Sequence, residues 1–298
     1  MPHPALAFIG FGEAGQTLAA GFRTEGLAIA AWDILFPQAQ AGAPLRAAAE
    51  RLGVRIGRDA SDAIRGADVV FSAVTAASNL EAAKQATPGL SGVQFYVELN
   101  SVSPDRKRQA AAIVGSRARF VGMAVMAPVH PLRHKTPVLV SGPAAAELAT
   151  LLRRCGMDVA DVGADVGDAA AIKMVRSVMV KGLAALTQEC FLAARRAGVE
   201  ERIIASLTQS YPMIDWAKLA DYNLERMATH GLRRAAEMRD VCETLESLGV
   251  EPALTRGTVV REQRTGDARL KEKFGGKVPE DRGAILDALI GQGREPLV

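Results

Sequence analysis

The stretch FIGFGEAGQTLAAGF, residues 8–22, leads directly from a predicted strand into a predicted helix. Its glycines Gly10, Gly12 and Gly15 have the spacing G-x-G-x-x-G, which is typical of a loop that binds a dinucleotide. The first glycine allows a tight turn, the second lets a pyrophosphate approach the backbone, and the third lets the helix pack against the sheet. The phosphates would then face the helix N-terminus. We therefore predict cofactor contacts from Gly10, Phe11, Gly12, Glu13, Ala14 and Gly15.

Asp33 ends the second predicted strand, at about the 20-residue offset expected of a ribose-binding carboxylate. A carboxylate there accepts hydrogen bonds from both ribose hydroxyls and repels a 2′-phosphate. No arginine follows until Arg46, so the sequence favours NAD over NADP. Residues 72–78 follow another predicted strand, and Val74 and Thr75 are the candidates there for further cofactor contacts. A plain connecting loop explains that stretch equally well.

The first half of the chain alternates short apolar runs with amphipathic stretches, a pattern typical of parallel strands connected by helices. The predicted strands are residues 5–11, 28–33, 54–57, 68–74, 95–99, 120–127, 138–142 and 158–163. Residues 168–196 form one long predicted helix, and helical stretches follow with breaks at Gly198, Pro212, Gly231, Gly249 and Pro279. The predicted fold class is α/β: a Rossmann domain with a mostly parallel, doubly wound sheet, joined by the long helix to an all-α domain. The domain limits are residues 1–165 and 166–298.

The composition excludes several classes of function. The 298 residues carry a net charge of +3 and only 5% aromatic residues, which argues against nucleic-acid binding. The three cysteines, Cys155, Cys190 and Cys242, form neither a zinc pattern nor a disulfide framework, so no metal site is predicted. No apolar stretch approaches the roughly 20 residues of a membrane-spanning helix, and the N-terminus lacks a signal-peptide pattern. We therefore expect a cytoplasmic protein without membrane or nucleic-acid partners.

The long predicted helix carries a stripe of polar residues. Lys173, Ser177 and Lys181 recur every four residues, which puts their side chains on one face of the helix. A lysine on such a face can act as a general acid or base beside a bound nicotinamide. A solvated basic edge of an amphipathic helix has the same spacing, and spacing alone favours that second interpretation.

Four motifs occur in an order similar to that of the β-hydroxyacid dehydrogenase superfamily, which includes 6-phosphogluconate and 3-hydroxyisobutyrate dehydrogenases. GFGEAGQTLAAGF (10–22) resembles its opening glycine motif, and ELNSVSP (98–104) resembles its substrate-binding segment. MAPV (126–129) resembles the start of D-A-P-V-S-G-G, and GDAAAIKMVRS (167–177) resembles the segment with the catalytic lysine. The resemblance covers essentially the whole chain. It is closest to the branch whose C-terminal domain is a divergent 6-phosphogluconate dehydrogenase-like domain of unknown function.

This resemblance implies roles for individual residues. Lys173 takes the position of the catalytic lysine, and Asn100 and Ser177 are further catalytic candidates that would orient the substrate. Ser101 occupies the second polar position of the substrate-binding segment. Dimers are usual in this superfamily, so we also expect a homodimer formed through the C-terminal helical domain.

The chain departs from the superfamily pattern around the substrate. HPLRHK, residues 130–135, replaces the expected S-G-G, and Ser177 stands where the superfamily has asparagine. Arginine makes bidentate contacts with carboxylates and phosphates, so the positive charge of His130, Arg133, His134 and Lys135 indicates an anionic substrate. The candidate substrate contacts are Ser101, His130, Arg133 and Lys181. An exposed basic loop is an equally good interpretation of the segment.

A second basic group includes His230 and Arg233, at a predicted helix start. A solvated helix start is the simpler interpretation, and a contribution to a partner chain's site is the alternative.

Residues and resemblance together predict an NAD-dependent oxidoreductase that transfers a hydride between a small anionic 3-hydroxy acid or sugar acid and the nicotinamide. Lys173 is its predicted general acid and base. An imine reductase would share this architecture, but such enzymes usually lack the catalytic lysine. A non-catalytic NAD(H)-binding module is the alternative from another class, and the missing S-G-G and asparagine are its support.

Overall fold

The computed structural model describes residues 3–291, which form two compact units that divide between Lys173 and Met174. The first unit contains a sheet with helices, and the second consists of helices throughout its described residues. This architecture confirms the predicted fold class. The units divide inside the long helix, whereas the predicted domain limit lies just before it.

The sheet has the strand order β3-β2-β1-β4-β5-β6-β7-β8. The strands are β1 (Leu6–Ile9), β2 (Ile29–Trp32), β3 (Arg55–Ile56), β4 (Val69–Ser72), β5 (Phe95–Glu98), β6 (Arg119–Val125), β7 (Val138–Ser141) and β8 (Val159–Asp161). Every neighbouring pair is parallel except β6 and β7, which are antiparallel. Each strand lies within or overlaps a stretch predicted from the sequence, so the mostly parallel sheet is also confirmed.

Helices pack with these strands in the first unit. They are α1 (Glu13–Thr24), α2 (Ala39–Leu52), α3 (Ala60–Ile64), α4 (Asn79–Ala86), α5 (Pro104–Val114), α6 (Ala145–Arg154) and the first turns of α7 (Asp168–Ala197). Strands β1, β4 and β5 are buried along their full length, which is why they consist almost entirely of apolar residues. Phe8 and Phe71 stack in one core cluster with ring centroids 5.1 Å apart, and Tyr96 and Phe120 stack in a second cluster, 5.7 Å apart.

The strand order reverses between β1 and β4, because the chain adds β2 and β3 on one side of β1 and β4 on the other. At such a switch point the loops at the carboxyl ends of the two strands diverge and leave a crevice for a ligand. Gly10 follows β1 and Ala73 follows β4, so both residues lie at this edge of the sheet.

The second unit contains the later turns of α7 and the helices α8 (Glu200–Ser210), α9 (Trp216–Ser247), α10 (Ala253–Asp267), α11 (Leu270–Lys273) and α12 (Arg282–Ile290). The break predicted at Gly231 is wrong, because α9 continues through it. A Cβ on Gly231 would lie 2.6 Å from the carbonyl oxygen of Glu262 and 2.6 Å from the nitrogen of Gly266, both in α10. This glycine therefore allows two helices to approach closely and does not form a turn. His230 and Arg233 consequently lie inside a helix and not at its start.

Within residues 3–291, no helix combines the length and the apolar character needed to cross a membrane. The same part of the chain has no group of three or more His, Cys, Asp or Glu side chains arranged to hold a metal ion. Its cysteines are free thiols: Cys155 is buried, Cys190 is exposed and Cys242 is half-buried.

Candidate functional site

The glycine loop between β1 and α1 lies against the end of β4. Gly10 has a φ of 92°, and a Cβ on it would lie 2.3 Å from the carbonyl oxygen of Ala73. Only glycine fits there, since a side chain would clash with that backbone and adopt an unfavourable φ. A Cβ on Gly15 would lie 2.7 Å from the carbonyl oxygen of Gly10, so α1 also begins close to the loop.

Gly12 differs from these two glycines because the space beside it is open. It is the N-cap of α1 with an ordinary φ of −73°, and a Cβ on it would meet no atom within 4 Å. The N-cap provides no side-chain hydrogen bond, so the first-turn N–H groups, which begin with Glu13 and Ala14, lack a side-chain cap. Such N–H groups and the helix dipole attract anions. The open space and the uncapped donors fit the pyrophosphate of a dinucleotide.

Asp33 holds the glycine loop from the end of β2. Its Oδ2 accepts a hydrogen bond from the N–H of Phe11 at 2.8 Å, and its Oδ1 accepts one from the N–H of Leu35 at 2.9 Å. The residue is half-buried, and its carboxylate has lone pairs left for ribose hydroxyls. Arg46, the first arginine after it, donates to the carbonyl oxygen of Gln38 at 3.0 Å and so stabilises the turn before α2.

Val74 and Thr75 lie just beyond Ala73, after β4 and at the same edge of the sheet. Cγ1 of Val74 would lie 2.8 Å from a Cβ on Gly10, so Val74 borders the glycine loop. Thr75 is exposed, and its hydroxyl donates a hydrogen bond to Oγ of Ser78 at 2.9 Å. The predicted contacts of both residues with a cofactor stay predictions.

Asn100 lies in the next loop along this edge, after β5. Its side-chain amide donates to Oγ of Ser72 at 3.3 Å, and its backbone N–H donates to Oε1 of Glu98 at 3.0 Å. The side-chain oxygen of Asn100 is buried and has no hydrogen-bond partner within the described chain. Asn100 therefore links the ends of β4 and β5 and keeps one unused acceptor.

A buried ion pair that the sequence prediction missed lies beneath this loop. The ammonium group of Lys107 contacts the carboxylate of Glu98, and the two side chains are 1% and 0% exposed. Burial lowers the pKa of Lys107, and the carboxylate of Glu98 opposes that change. A signal was present in the sequence, because Lys107 recurs with Ala110 and Val114 on the buried face of α5.

Lys173 reaches the same loop from α7. Its Nζ donates a hydrogen bond to Oγ of Ser101 at 2.6 Å, and both residues are half-buried. Ser101 directly follows Asn100, so the predicted catalytic lysine contacts the predicted substrate-binding segment. The amine of Lys173 and the polar residues Asn100 and Ser101 thereby lie together near the switch point of the sheet.

Ser177 and Lys181 lie further along α7, in the second unit. Ser177 is buried, and Nζ of Lys181 forms an ion pair with Oε2 of Glu237 at 2.8 Å. Their predicted roles toward the substrate stay predictions.

The basic segment 130–135 is attached to α1. Nε2 of His130 lies 3.0 Å from Oγ1 of Thr17, whose hydroxyl donates to the carbonyl oxygen of Glu13. Because that hydroxyl proton is already used, His130 donates to Thr17. Arg133 is exposed, like Lys135. The segment therefore presents its two longest basic side chains to solvent from a position fixed on α1.

His134 differs from Arg133 and Lys135 because its side chain is buried. Its ring lies 5.4 Å from that of Phe22, and a Cβ on Gly21 would clash with it at 2.1 Å. Burial lowers the pKa of His134, and Glu25, at 3.3 Å from its Nε2, opposes that change. His134 therefore packs the segment against α1, and its burial favours the neutral form of the ring.

Comparisons with known proteins agree with this architecture. The family described as NADP oxidoreductase, coenzyme F420-dependent, matches residues 5–99, and the domain of unknown function DUF1932 matches residues 194–265. A conserved hypothetical protein from Sinorhizobium meliloti 1021 is 39% identical, with 98% of this chain and 97% of that chain covered and a TM-score of 0.79.

Two further solved structures share this fold. A conserved protein of unknown function, described as structurally similar to 3-hydroxyacid dehydrogenases, is 31% identical over 90% of this chain and 98% of its own, with a TM-score of 0.74. A 3-hydroxyisobutyrate dehydrogenase from Mycobacterium tuberculosis, solved with L-serine, shares the fold at 16% identity, with 97% and 99% of the chains covered and a TM-score of 0.72. This chain belongs to the 3-hydroxyacid dehydrogenase-like family of oxidoreductases, with a nucleotide-binding Rossmann domain and a C-terminal DUF1932 domain.

Proposed function

We propose that this protein is an NAD-dependent dehydrogenase that oxidises the hydroxyl-bearing carbon of a small anionic 3-hydroxy acid or sugar acid, or reduces the corresponding carbonyl. The observation that carries the proposal is the 2.6 Å hydrogen bond from Nζ of Lys173 to Oγ of Ser101. This hydrogen bond links Lys173, whose amine can transfer a proton, with a segment of polar side chains. Both lie at the sheet edge that holds the glycine loop.

The proposed cofactor is NAD rather than NADP. When bound, it supplies or accepts the hydride at its nicotinamide ring. The uncapped start of α1 beside Gly12 would hold the pyrophosphate, and Asp33 would hold the adenosine ribose. Asp33 would repel a 2′-phosphate. Arg46 already donates hydrogen bonds to the backbone carbonyls of Gln38 and Ala39, so its guanidinium group is not positioned to bind such a phosphate.

In the direction of oxidation, the amine of Lys173 takes the proton from the substrate hydroxyl. In the direction of reduction, its ammonium group returns a proton to the same oxygen. Asn100 and Ser101 would orient the substrate, with the unused side-chain oxygen of Asn100 as one acceptor. Ser177, one turn after Lys173 on α7, is proposed to complete this group.

The proposed substrate is anionic because Arg133 and Lys135 are exposed on a segment tied to α1 through His130. L-Serine, present in the structure of the mycobacterial relative, combines a 3-hydroxyl group with a carboxylate. Lys181 is a further candidate contact, although its ion pair with Glu237 must then rearrange.

A rate assay with the purified protein tests the proposal. The assay uses NAD and NADP, each with a panel of short 3-hydroxy acids and sugar acids, some of them phosphorylated. NADH formation with any member supports the dehydrogenase, and the preferred acid distinguishes recognition of a carboxylate from recognition of a phosphate. NADH binding without turnover on any member argues against it.

Two alternatives predict different results. An imine reductase would reduce cyclic imines with little dependence on Lys173. A non-catalytic module would bind NADH and turn over neither the acids nor the imines. Replacement of Lys173 would leave its NADH affinity unchanged.

We also propose a homodimer formed through the helical unit. Val175, Met179 and Leu186 lie on one side of α7 and are 47%, 72% and 63% exposed. Such a row of exposed apolar side chains on a helix is typical of an interface. Light scattering should give twice the mass of one chain, and Met179→Asp should yield monomers.

The proposed location is the cytoplasm, since the cysteines of the described chain are free thiols. No nucleic-acid partner is proposed, in keeping with the balanced charge of the chain.

A further inference from the structure

Lys107 lies under the turn that connects β5 to Ser101. Its Nζ donates to the carbonyl oxygen of Glu98 at 2.7 Å, to that of Asn100 at 3.0 Å and to that of Met123 at 3.0 Å. The carboxylate of Glu98 contacts the same ammonium group. One buried cation therefore holds three backbone carbonyls that come from the end of β5, from the following turn and from β6.

This arrangement leaves Lys107 no capacity to act on a substrate directly. An ammonium group has three donors, and three carbonyls together with one carboxylate already surround them. The side chain is only 1% exposed. A buried lysine is costly unless its charge is compensated, so this one is maintained by close and specific contacts.

The turn held by Lys107 carries the proposed catalytic contact. The carbonyl of Asn100, which accepts from Lys107, belongs to the peptide unit that leads directly into Ser101. Ser101 in turn accepts the hydrogen bond from Lys173. A shift of the Asn100 carbonyl would therefore move the Ser101 hydroxyl relative to Nζ of Lys173.

We propose that Lys107 is a positioning residue, which fixes the turn at residues 98–101 so that Ser101 and Lys173 stay in hydrogen-bond contact. This inference rests on the proposed function for its effect on turnover. The contact between Ser101 and Lys173 can also be followed without a substrate.

The variant to test is the double substitution Glu98→Gln with Lys107→Met. Removing Lys107 alone would leave a buried uncompensated carboxylate and strongly destabilise the fold, whereas the double variant removes both charges and keeps the volume. On the best substrate of the panel, we expect kcat to fall about 10- to 100-fold, the range that a displacement near 1 Å causes. NADH affinity should change less than about twofold, because Lys107 makes no contact with the glycine loop in its hydrogen bonds to Glu98, Asn100 and Met123.

The matched control is Arg108→Gln on the same helix. Arg108 forms ion pairs with Asp165 at 3.0 Å and with Asp105 at 2.6 Å on the exposed side of α5. Its replacement loosens α5 without touching the three carbonyls, so kcat should stay within about twofold of wild type. A purely structural role of Lys107 predicts a lower melting temperature with unchanged kcat at temperatures where the double variant is folded.

A second measurement separates this inference from the proposed function. Acetic anhydride labels lysine amines at fixed pH, and mass spectrometry gives the rate at Lys173 without any substrate. We expect that rate to change at least about threefold in the double variant and to stay unchanged in Arg108→Gln, because only the former releases the contact to Ser101.

An unchanged labelling rate at Lys173 in the folded double variant would overturn the inference, whatever happens to turnover. A changed labelling rate in a protein whose wild type turns over nothing would sustain the positioning role and reject the proposed dehydrogenase.

Discussion

Lys173 and Ser101 are 72 positions apart in the chain and share a hydrogen bond of 2.6 Å in the first unit. This contact leads to the first prediction. Lys173→Ala should lower kcat by about 10²- to 10⁴-fold, the usual contribution of a general acid or base, and leave NADH affinity intact. Rate assays and fluorescence titration measure the two quantities. Lys84→Ala, which removes an exposed lysine from α4, is the control. Loss of NADH binding together with turnover would refute the assignment.

Replacement by alanine should change the free energy of unfolding at Gly10 but not substantially at Gly12. Gly10→Ala should cost about 1–3 kcal/mol of folding free energy, because its φ is positive and the new Cβ meets Ala73 at 2.3 Å. Gly12→Ala should leave the free energy of unfolding within about 1 kcal/mol of wild type, since its φ is ordinary and the space is open.

The same Gly12→Ala protein should bind NADH at least about tenfold more weakly, a loss of roughly 1.4 kcal/mol, because the new methyl group occupies the pyrophosphate's space. Urea unfolding and NADH titration test both variants. Normal NADH affinity in Gly12→Ala would contradict the cofactor site.

Asp33→Asn should reduce the preference for NADH over NADPH. The amide removes the charge that repels a 2′-phosphate, and it can accept only one of the two hydrogen bonds that Phe11 and Leu35 donate to the carboxylate. We expect NADH to bind about tenfold more weakly and NADPH to bind with little change. Fluorescence titrations with both nucleotides give the ratio, and an unaltered ratio would argue against a ribose contact.

Gly231→Ala should destabilise the helical unit. Its Cβ would meet the backbone of α10 at 2.6 Å, and such overpacking costs about 1–3 kcal/mol. Gly257→Ala is the matched control, because Gly257 lies inside α10 with no atom within 4 Å of its built Cβ. That control should gain about 0.5–1 kcal/mol from the higher helix propensity of alanine. Thermal unfolding compares the two, and equal effects would contradict close packing of α9 and α10.

The free energy of unfolding should fall as the pH drops from about 6.5 toward 4, because His230 takes up a proton more readily in the unfolded chain. Burial lowers the pKa of His230 to about 4, and the positive charges of Arg226, Arg233, Arg234 and Lys271 add to that effect. The unfolded chain binds this proton at about pH 6.5, so the contribution of neutral His230 is complete above that value and is lost toward pH 4.

The variant His230→Asn should therefore show a shallower loss of melting temperature between pH 6.5 and about pH 4.5 than wild type. His3→Gln, at an exposed position, serves as control. Equal slopes for wild type and His230→Asn would rule out this proton linkage.

The strands and the long helix were predictable because their signals are local. Apolar runs bounded by helical stretches locate β1, β4 and β5, and the absence of proline from 168–196 locates α7. The glycine loop was predictable for the same reason, since the tight turn, the close approach and the helix start lie within six consecutive residues.

The interactions of single side chains were not predictable in this way. His134 has the charge pattern of an exposed basic loop, yet it is buried against Phe22, which is far away in the sequence. Gly231 looks like a helix break until the backbone of α10 is placed beside it. In both cases the deciding atoms belong to another part of the chain.

The ion pair of Lys107 and Glu98 shows the physical reason most clearly. A lysine is expected to be exposed, because an uncompensated charge is costly to bury. Only the folded chain supplies a carboxylate and three carbonyls around one ammonium group, with one carbonyl contributed by β6. Local sequence therefore specifies which backbone elements form and where the nucleotide loop lies, because turn geometry and apolar periodicity act over short distances. The environment of each polar side chain in the site depends on tertiary contacts, because burial and electrostatic compensation involve residues that are distant in the sequence.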